Sequence, residues 1–132
     1  MINGTLHGNP VGSVAGLATL KELRKPGYYK ALHGLADDFT AACGQVLRRH
    51  RLSALALGAA SVWQIMFIDK PPSRHADIME ADIARTRRLD LEQLRNGLYV
   101  LPTMRRFISS AHTGQDLEDT VGALDAACRA LR

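Results

Sequence analysis

The stretch Gly4-Thr5-Leu6-His7-Gly8-Asn9-Pro10, running on through Val11-Gly12-Ser13-Val14-Ala15-Gly16-Leu17-Ala18-Thr19-Leu20, says most about the fold. Two glycines, an asparagine and a proline within seven residues mark an irregular loop. From Pro10 the pattern changes: Val11, Val14, Ala15 and Ala18, with Leu17, Leu20 and Leu23, recur at helical spacing and predict a helix to about Leu23. Asn9 is suited to the N-cap and Pro10 to the first turn. Gly12 and Gly16 each weaken such a helix by about 1 kcal/mol relative to Ala, and let another backbone approach closely. The loop sets Gly4, Thr5 and Gly8 just ahead of a helix N-terminus, where backbone N–H groups and a threonine hydroxyl can hold a phosphate. No Gly-Lys-Ser/Thr follows, so this is not a P-loop. On spacing alone, a flexible glycine-rich segment without a ligand is the plainer reading.

Outward from this loop, Pro26-Gly27 breaks the chain and a second helix is expected from Tyr28 to about His50, with Leu32, Leu35, Ala36, Phe39, Cys43, Val46 and Leu47 on one face. Leu55 to Leu57 predicts a short strand and Gly58 to Ser61 a turn. Val62-Trp63-Gln64-Ile65-Met66-Phe67-Ile68 reads as a buried strand. A third helix is expected over Ala76 to Arg95, with Ile78, Met79, Ile83, Leu91 and Leu94 inward and a half-exposed polar middle at 85–88. Asn96-Gly97 stops it. Leu98 to Leu101 and Arg106 to Ser110 predict two more short strands. Thr113 and Asp116 have capping-box spacing, and Leu117, Val121, Leu124, Cys128 and Leu131 step along one face of a last helix. The fold class is therefore α+β, with four helices and a small, mainly antiparallel sheet.

Length and composition exclude several classes. A chain of 132 residues is one domain's worth, and 46% hydrophobic with 23% charged residues is ordinary for a globular protein. No apolar run reaches the roughly 18–20 residues of a membrane span, and residues 1–10 have neither a basic nor an apolar segment of a secretory signal. A cytoplasmic protein without membrane partners is expected. Cys43 and Cys128 both sit in apolar helical patterns, which favours buried thiols. The net charge of +4 comes with few aromatic residues, so nucleic-acid binding is not expected. No Cys or His spacing fits a metal site. His7, His33, His50, His75 and His112 are scattered, and Ser109-Ser110 near His112 lacks a nucleophile elbow. Asp37-Asp38 and the arginine clusters at 48–51, 85–88 and 105–106 read as solvated helix faces.

Resemblance adds what spacing does not. Gly4 to Pro10 with Ala15-Gly16-Leu17-Ala18-Thr19-Leu20 resembles the G-T-x-x-G/A-N-P…A-x-L-A-x-L stretch of class-III pyridoxal-phosphate-dependent aminotransferases. In the same order, Gly58 to Trp63 resembles their glycine-rich turn and strand, and Asn96 to Pro102 their G-v-y-l/l-P strand. Phe107-Ile108-Ser109-Ser110-Ala111-His112-Thr113 with Asp116-Leu117 resembles the f-i-S-x-x-H-T…D-i run of the glutamate-1-semialdehyde 2,1-aminomutase branch.

The resemblance implies the small C-terminal domain of the fold-type-I pyridoxal 5'-phosphate (PLP) transferase fold. Residues 1–25 would form a phosphate-contact loop and the helix leaving a large domain, and residues 26–132 the small domain. The family's Schiff-base lysine and the acidic partner of the pyridinium nitrogen lie upstream of the Gly-Thr motif, in the large domain that this chain lacks. Lys21, Lys25, Lys30 and Lys70 match no lysine motif of the family. The chain would thus supply no catalytic residue, bind PLP non-covalently through Thr5 supported by Gly4, and act as part of a homodimer. The alternative, from a different class, is a free-standing α+β interaction module that kept the fold and lost the enzyme.

Overall fold

A computed structural model describes Gly4 and residues 8–131. The chain divides into two compact units, Met1–Ala31 and Leu32–Arg132.

In the first unit, α1 spans Pro10–Leu23, as the periodicity predicts. Asn9 caps it: its side-chain oxygen accepts the Gly12 N–H at 2.8 Å, and its backbone oxygen accepts the Ser13 N–H at 3.0 Å. No residue of α1 is buried, and Val11, Val14, Leu17 and Leu20 are each more than half exposed.

The second unit contains nearly all of α2 (Tyr28–Arg49), whose inner stripe Leu32, Ala36, Phe39, Cys43, Val46 and Leu47 is buried as expected. This helix ends a residue before the expected His50 because Arg51 adopts φ +56°. The Leu52 N–H then returns to the Leu47 carbonyl and the Arg51 N–H to that of Arg48, which satisfies the last carbonyls of the helix.

Strand β1 (Leu55–Ala59) pairs antiparallel with β2 (Val62–Met66), from Leu55 opposite Met66 to Ala59 opposite Val62. The turn is thus only Ala60-Ser61, two residues shorter than the sequence suggests, because Ala60 takes φ +54°. Gly58 belongs to the strand, where a Cβ would lie 2.9 Å from the Thr40 hydroxyl of α2; only glycine lets this strand lie so close to the helix. Strand β3 (Arg106–Phe107) pairs with the other edge of β2, giving the order β1-β2-β3.

Three expectations are corrected. The ladder of β2 stops at Met66 because the backbone of Phe67 turns to the next helix: its N–H donates to the Thr86 hydroxyl and its carbonyl accepts from the Asp82 N–H at 2.9 Å. Phe67 and Ile68 stay buried outside the strand. The expected third helix is two, α3 (His75–Ile78) and α4 (Ile83–Arg95), since Asp77 and Asp82 each cap a separate start. The described residues therefore hold five helices, not four. Met79, Ile83 and Leu91, expected inward, are exposed, whereas Thr86 from the supposedly solvated middle is buried. Finally, Leu98–Leu101 forms no strand. Val100 is buried between exposed Tyr99 and Leu101, but no ladder joins them, and the expected strand 106–110 shrinks to two residues.

Gly97, at φ +87°, closes α4 by the same carbonyl-return geometry as Arg51. Helix α5 (Gly114–Ala130) starts at the predicted capping box and packs on α4, which also contacts β2. Its buried face is Thr120, Ala123, Leu124, Ala127 and Cys128, one step round from the expected leucine stripe. A satellite core of Met66, Ile68 and Ala81, with Leu55, Leu57 and Ile78 against it, fills the space beside α3. Both cysteines are fully buried and neither is in a disulfide; burial pushes the Cys43 thiol up to about 12. No helix of the described residues is long and apolar enough to cross a membrane.

Candidate functional site

Of the two residues expected to contact phosphate, Gly4 is exposed and outside regular structure. Thr5 lies outside the described residues. Gly8, at φ +76°, turns the chain into the Asn9 cap. The four lysines are all exposed, so none sits in the desolvated pocket that would make its amine nucleophilic.

The run from Phe107 to Asp116 has a plain physical content. The backbone N–H of Ser109 donates to His112 Nδ1 at 3.1 Å, the Ser109 hydroxyl lies 3.0 Å from the same nitrogen, and the Ala111 N–H donates back to that hydroxyl. The ring stands edge-on to Phe39, centroids 6.0 Å apart. One residue on, the Thr113 hydroxyl accepts the Asp116 N–H, while the Asp116 carboxylate accepts from the Thr113 N–H and hydroxyl. Those two hydrogen bonds hold the Asp116 carboxyl below its usual range. Ser109, His112, Thr113 and Asp116 thus build the turn and cap that start α5.

Beside this turn lies the polar centre of the second unit. Arg106, on β3, forms an ion pair with Asp90 of α4 and donates to Gln93 Oε1 at 2.6 Å; all three side chains are buried. The Arg106 guanidinium also lies over the Trp63 ring, 4.9 Å from its centroid. The second Asp90 oxygen accepts the Thr103 N–H at 2.7 Å, and the Gln64 amide donates to the Thr103 carbonyl at 3.0 Å. Thr103 itself takes φ +65°, so the network fixes a strained turn between Leu101 and β3. Burial, opposed by the Arg106 charge, raises the Asp90 carboxyl above its ordinary value; it also lowers the Arg106 guanidinium against the pull of Asp90. Arg106, assigned from sequence to a solvated cluster, is therefore a correction. Its signal was present in the sequence: Thr86, Asp90 and Gln93 step four and three residues along α4, the spacing of a core stripe written in polar residues.

A second pair also escaped the sequence. His50 Nε2 meets Asp125 Oδ1 at 2.8 Å, with Arg49 and Arg129 against the same carboxylate, joining the end of α2 to α5. Seventy-five residues separate the two partners, so no local spacing could bring them together. His33 and His75 join no metal-ligand cluster among the described residues.

The comparisons with known proteins agree with this architecture. The glutamate-1-semialdehyde 2,1-aminomutase of Desulfosudis oleivorans is 36% identical over 132 residues, covering 93% of this chain and 29% of its own length. That of Albidiferax ferrireducens is 34% identical over 125 residues, with the same 93% and 29%. The chain is homologous to a C-terminal part of glutamate-1-semialdehyde 2,1-aminomutases. It spans under a third of the length of these relatives. Among solved structures, the PLP internal aldimine form of the Sphingopyxis sp. MTA144 FumI protein superposes with a TM-score of 0.80 at 28% identity, over 98% of this chain and 29% of that one. An omega-transaminase from Sphaerobacter thermophilus superposes over 100% of this chain and 30% of its own with a TM-score of 0.83. At 23% identity this second likeness speaks for the fold alone. No family model matches the chain. The aminomutase likeness thus covers the sequence, and the transaminase likeness the fold, of nearly the whole chain.

Proposed function

We propose that the chain is the C-terminal portion of a class-III PLP-dependent aminotransferase or aminomutase of the glutamate-1-semialdehyde type. The observation that carries this reading is the co-linear likeness to about 29% of the aminomutases, joined to the transaminase fold over the same residues. PLP is then the cofactor of the complete enzyme, where it supplies the electron sink for moving an amino group.

On this reading, residues 1–25 are the arm leaving the large domain and 26–132 the small domain. Thr5, supported by the Gly4 backbone, donates to the cofactor phosphate held by a second subunit. The chain contributes that contact, dimer packing and one wall of the substrate site in a cytoplasmic homodimer. It is inactive alone, since amino transfer needs a lysine that its four exposed lysines do not replace.

Incubation of the chain with PLP, borohydride reduction and peptide mapping tests this. Scattered partial labelling of Lys21, Lys25, Lys30 and Lys70 is expected. Stoichiometric labelling of one lysine, protected by a substrate amine, would overturn the assignment.

A further inference from the structure

In the sheet order β1-β2-β3, strand β1 pairs only with β2 and leaves its other edge open. The two-residue turn makes Ala59 and Val62 a hydrogen-bonded pair, so Leu57 and Leu55 also turn their backbone groups toward β2. Ala56 and Gly58 turn theirs outward, where no group among the described residues meets them. Exposed edges are ordinarily blunted by a charge, a proline or a bulge. The sequence Leu-Ala-Leu-Gly-Ala carries no charge and no proline, and its register runs unbroken from Leu55 to Ala59.

A groove of about 380 Å³ runs beside this strand, between β1 and α2. Its walls are small residues: Thr40 and Gly44 from α2, Ala56 and Gly58 from β1. One charge stands at each end. Asp37 lies a turn before Thr40, which is next to Gly58, whereas Arg48 lies at the end of α2, just before the chain turns into β1. Both are exposed, and neither has an ion-pair partner among the described residues. Along the helix they are about 16 Å apart, roughly the length of a five-residue strand.

Whatever covers this edge needs a free strand edge of its own, with a cation and an anion in reversed order. A second copy of β1 brings all three. A two-fold axis at Leu57 sets Ala56 of each copy opposite Gly58 of the other, and this closes backbone hydrogen bonds at both pairs. The same rotation carries Asp37 of each copy toward Arg48 of the other. We infer that two copies of this chain pair antiparallel through β1, with Asp37 and Arg48 as reciprocal ion pairs at the rim. The contact needs neither PLP nor Thr5 and is separate from association through α1. So short an edge buries less than the roughly 1,000 Å² of a stable interface. The pairing is therefore weak, and forms near millimolar concentration or between chains already held together.

The test follows backbone amides by NMR from micromolar to millimolar concentration. The full chain carries Leu17→Lys, so that α1 contributes no association. The Ala56 and Gly58 amides should shift saturably with concentration and exchange more slowly when paired. Asp37→Arg should weaken the association about tenfold, because two opposite-charge contacts become two like-charge ones. Adding Arg48→Asp should restore it to within about twofold, since the swapped pair has the same sum of charges. Both positions are exposed, so the variants should fold. Three results would each overturn the inference: Ala56 and Gly58 amides that do not move up to millimolar concentration, an Asp37→Arg variant that associates like its parent, or a charge swap that stays as weak as the single variant.

Discussion

The most apolar helix of this protein buries nothing, and its most polar long helix carries a buried ion pair. In α1, valines, leucines and alanines cover most of the surface, yet every residue is at least partly open to solvent. In α4, between Arg85, Arg87, Arg88 and Arg95 on the outside, Thr86, Asp90 and Gln93 are buried with Leu89. Hydrophobicity drives burial but does not say where cover comes from. A polar side chain can be buried when partners from other elements satisfy it, as Arg106 and Thr103 satisfy Asp90.

The largest effect should come from breaking the polar half of this contrast. Arg106→Met leaves the Asp90 carboxylate buried without its counter-ion, and is expected to cost about 3–5 kcal/mol in urea unfolding. Replacing both residues, Asp90→Leu with Arg106→Met, should recover most of that loss, because two apolar side chains need no partner. A single-variant cost below about 1 kcal/mol would mean that the pair is solvated.

How much of this was legible follows from sequence distance. The caps at Asn9, Thr113 and Asp116 lie within three residues of the N–H groups they satisfy, and the sequence displays them. The core stripe of α2 obeys one period throughout. The Asp90–Arg106, Gln64–Thr103 and His50–Asp125 contacts join residues 16, 39 and 75 positions apart. Only the tertiary fold creates them. The split of the third helix falls between: Asp77 and Asp82 are both good capping residues, but the apolar spacing of Ile78, Met79 and Ile83 runs straight across them. The candidate phosphate contact at Thr5 was legible through family resemblance alone, since the same loop without that likeness reads as a flexible start.

The cap at Asp82 gives a smaller test, confined to the polar helix. Its carboxylate accepts the Arg85 N–H at 2.8 Å, so Asp82→Ala should cost about 1 kcal/mol. If α3 and α4 were one helix, alanine would favour it, and the variant would be neutral or more stable with higher helical ellipticity.

A pH titration sharpens the comparison at the other polar pair. The hydrogen bond from His50, aided by the Arg129 charge, holds the Asp125 carboxyl below its ordinary value. A group whose folded value is depressed contributes stability that is present above its unfolded value, near 3.8. That stability is lost as pH falls through the folded value, because the unfolded chain binds the proton first. Urea midpoints should therefore decline below about pH 4, and Asp125→Asn should shallow that acid limb. An unchanged acid limb in the variant would place the loss on other carboxylates, such as the Asp77 and Asp116 caps, which are lowered in the same sense.

The smallest effect on folding is expected at α1. Leu17 is 54% exposed, so Leu17→Lys should change unfolding free energy by no more than about 0.5 kcal/mol. Its consequence belongs to association instead. A helix apolar nearly all round needs cover on several sides, and the proposed dimer supplies it by packing two such helices, with close approach at Gly12 and Gly16. Sedimentation equilibrium at several concentrations should show the chain associating and the Leu17→Lys variant not. A chain that stays monomeric throughout, with slow hydrogen exchange across Val11–Leu23, would break the contrast: the helix would then be ordered without a partner, and its apolar surface would call for no cover.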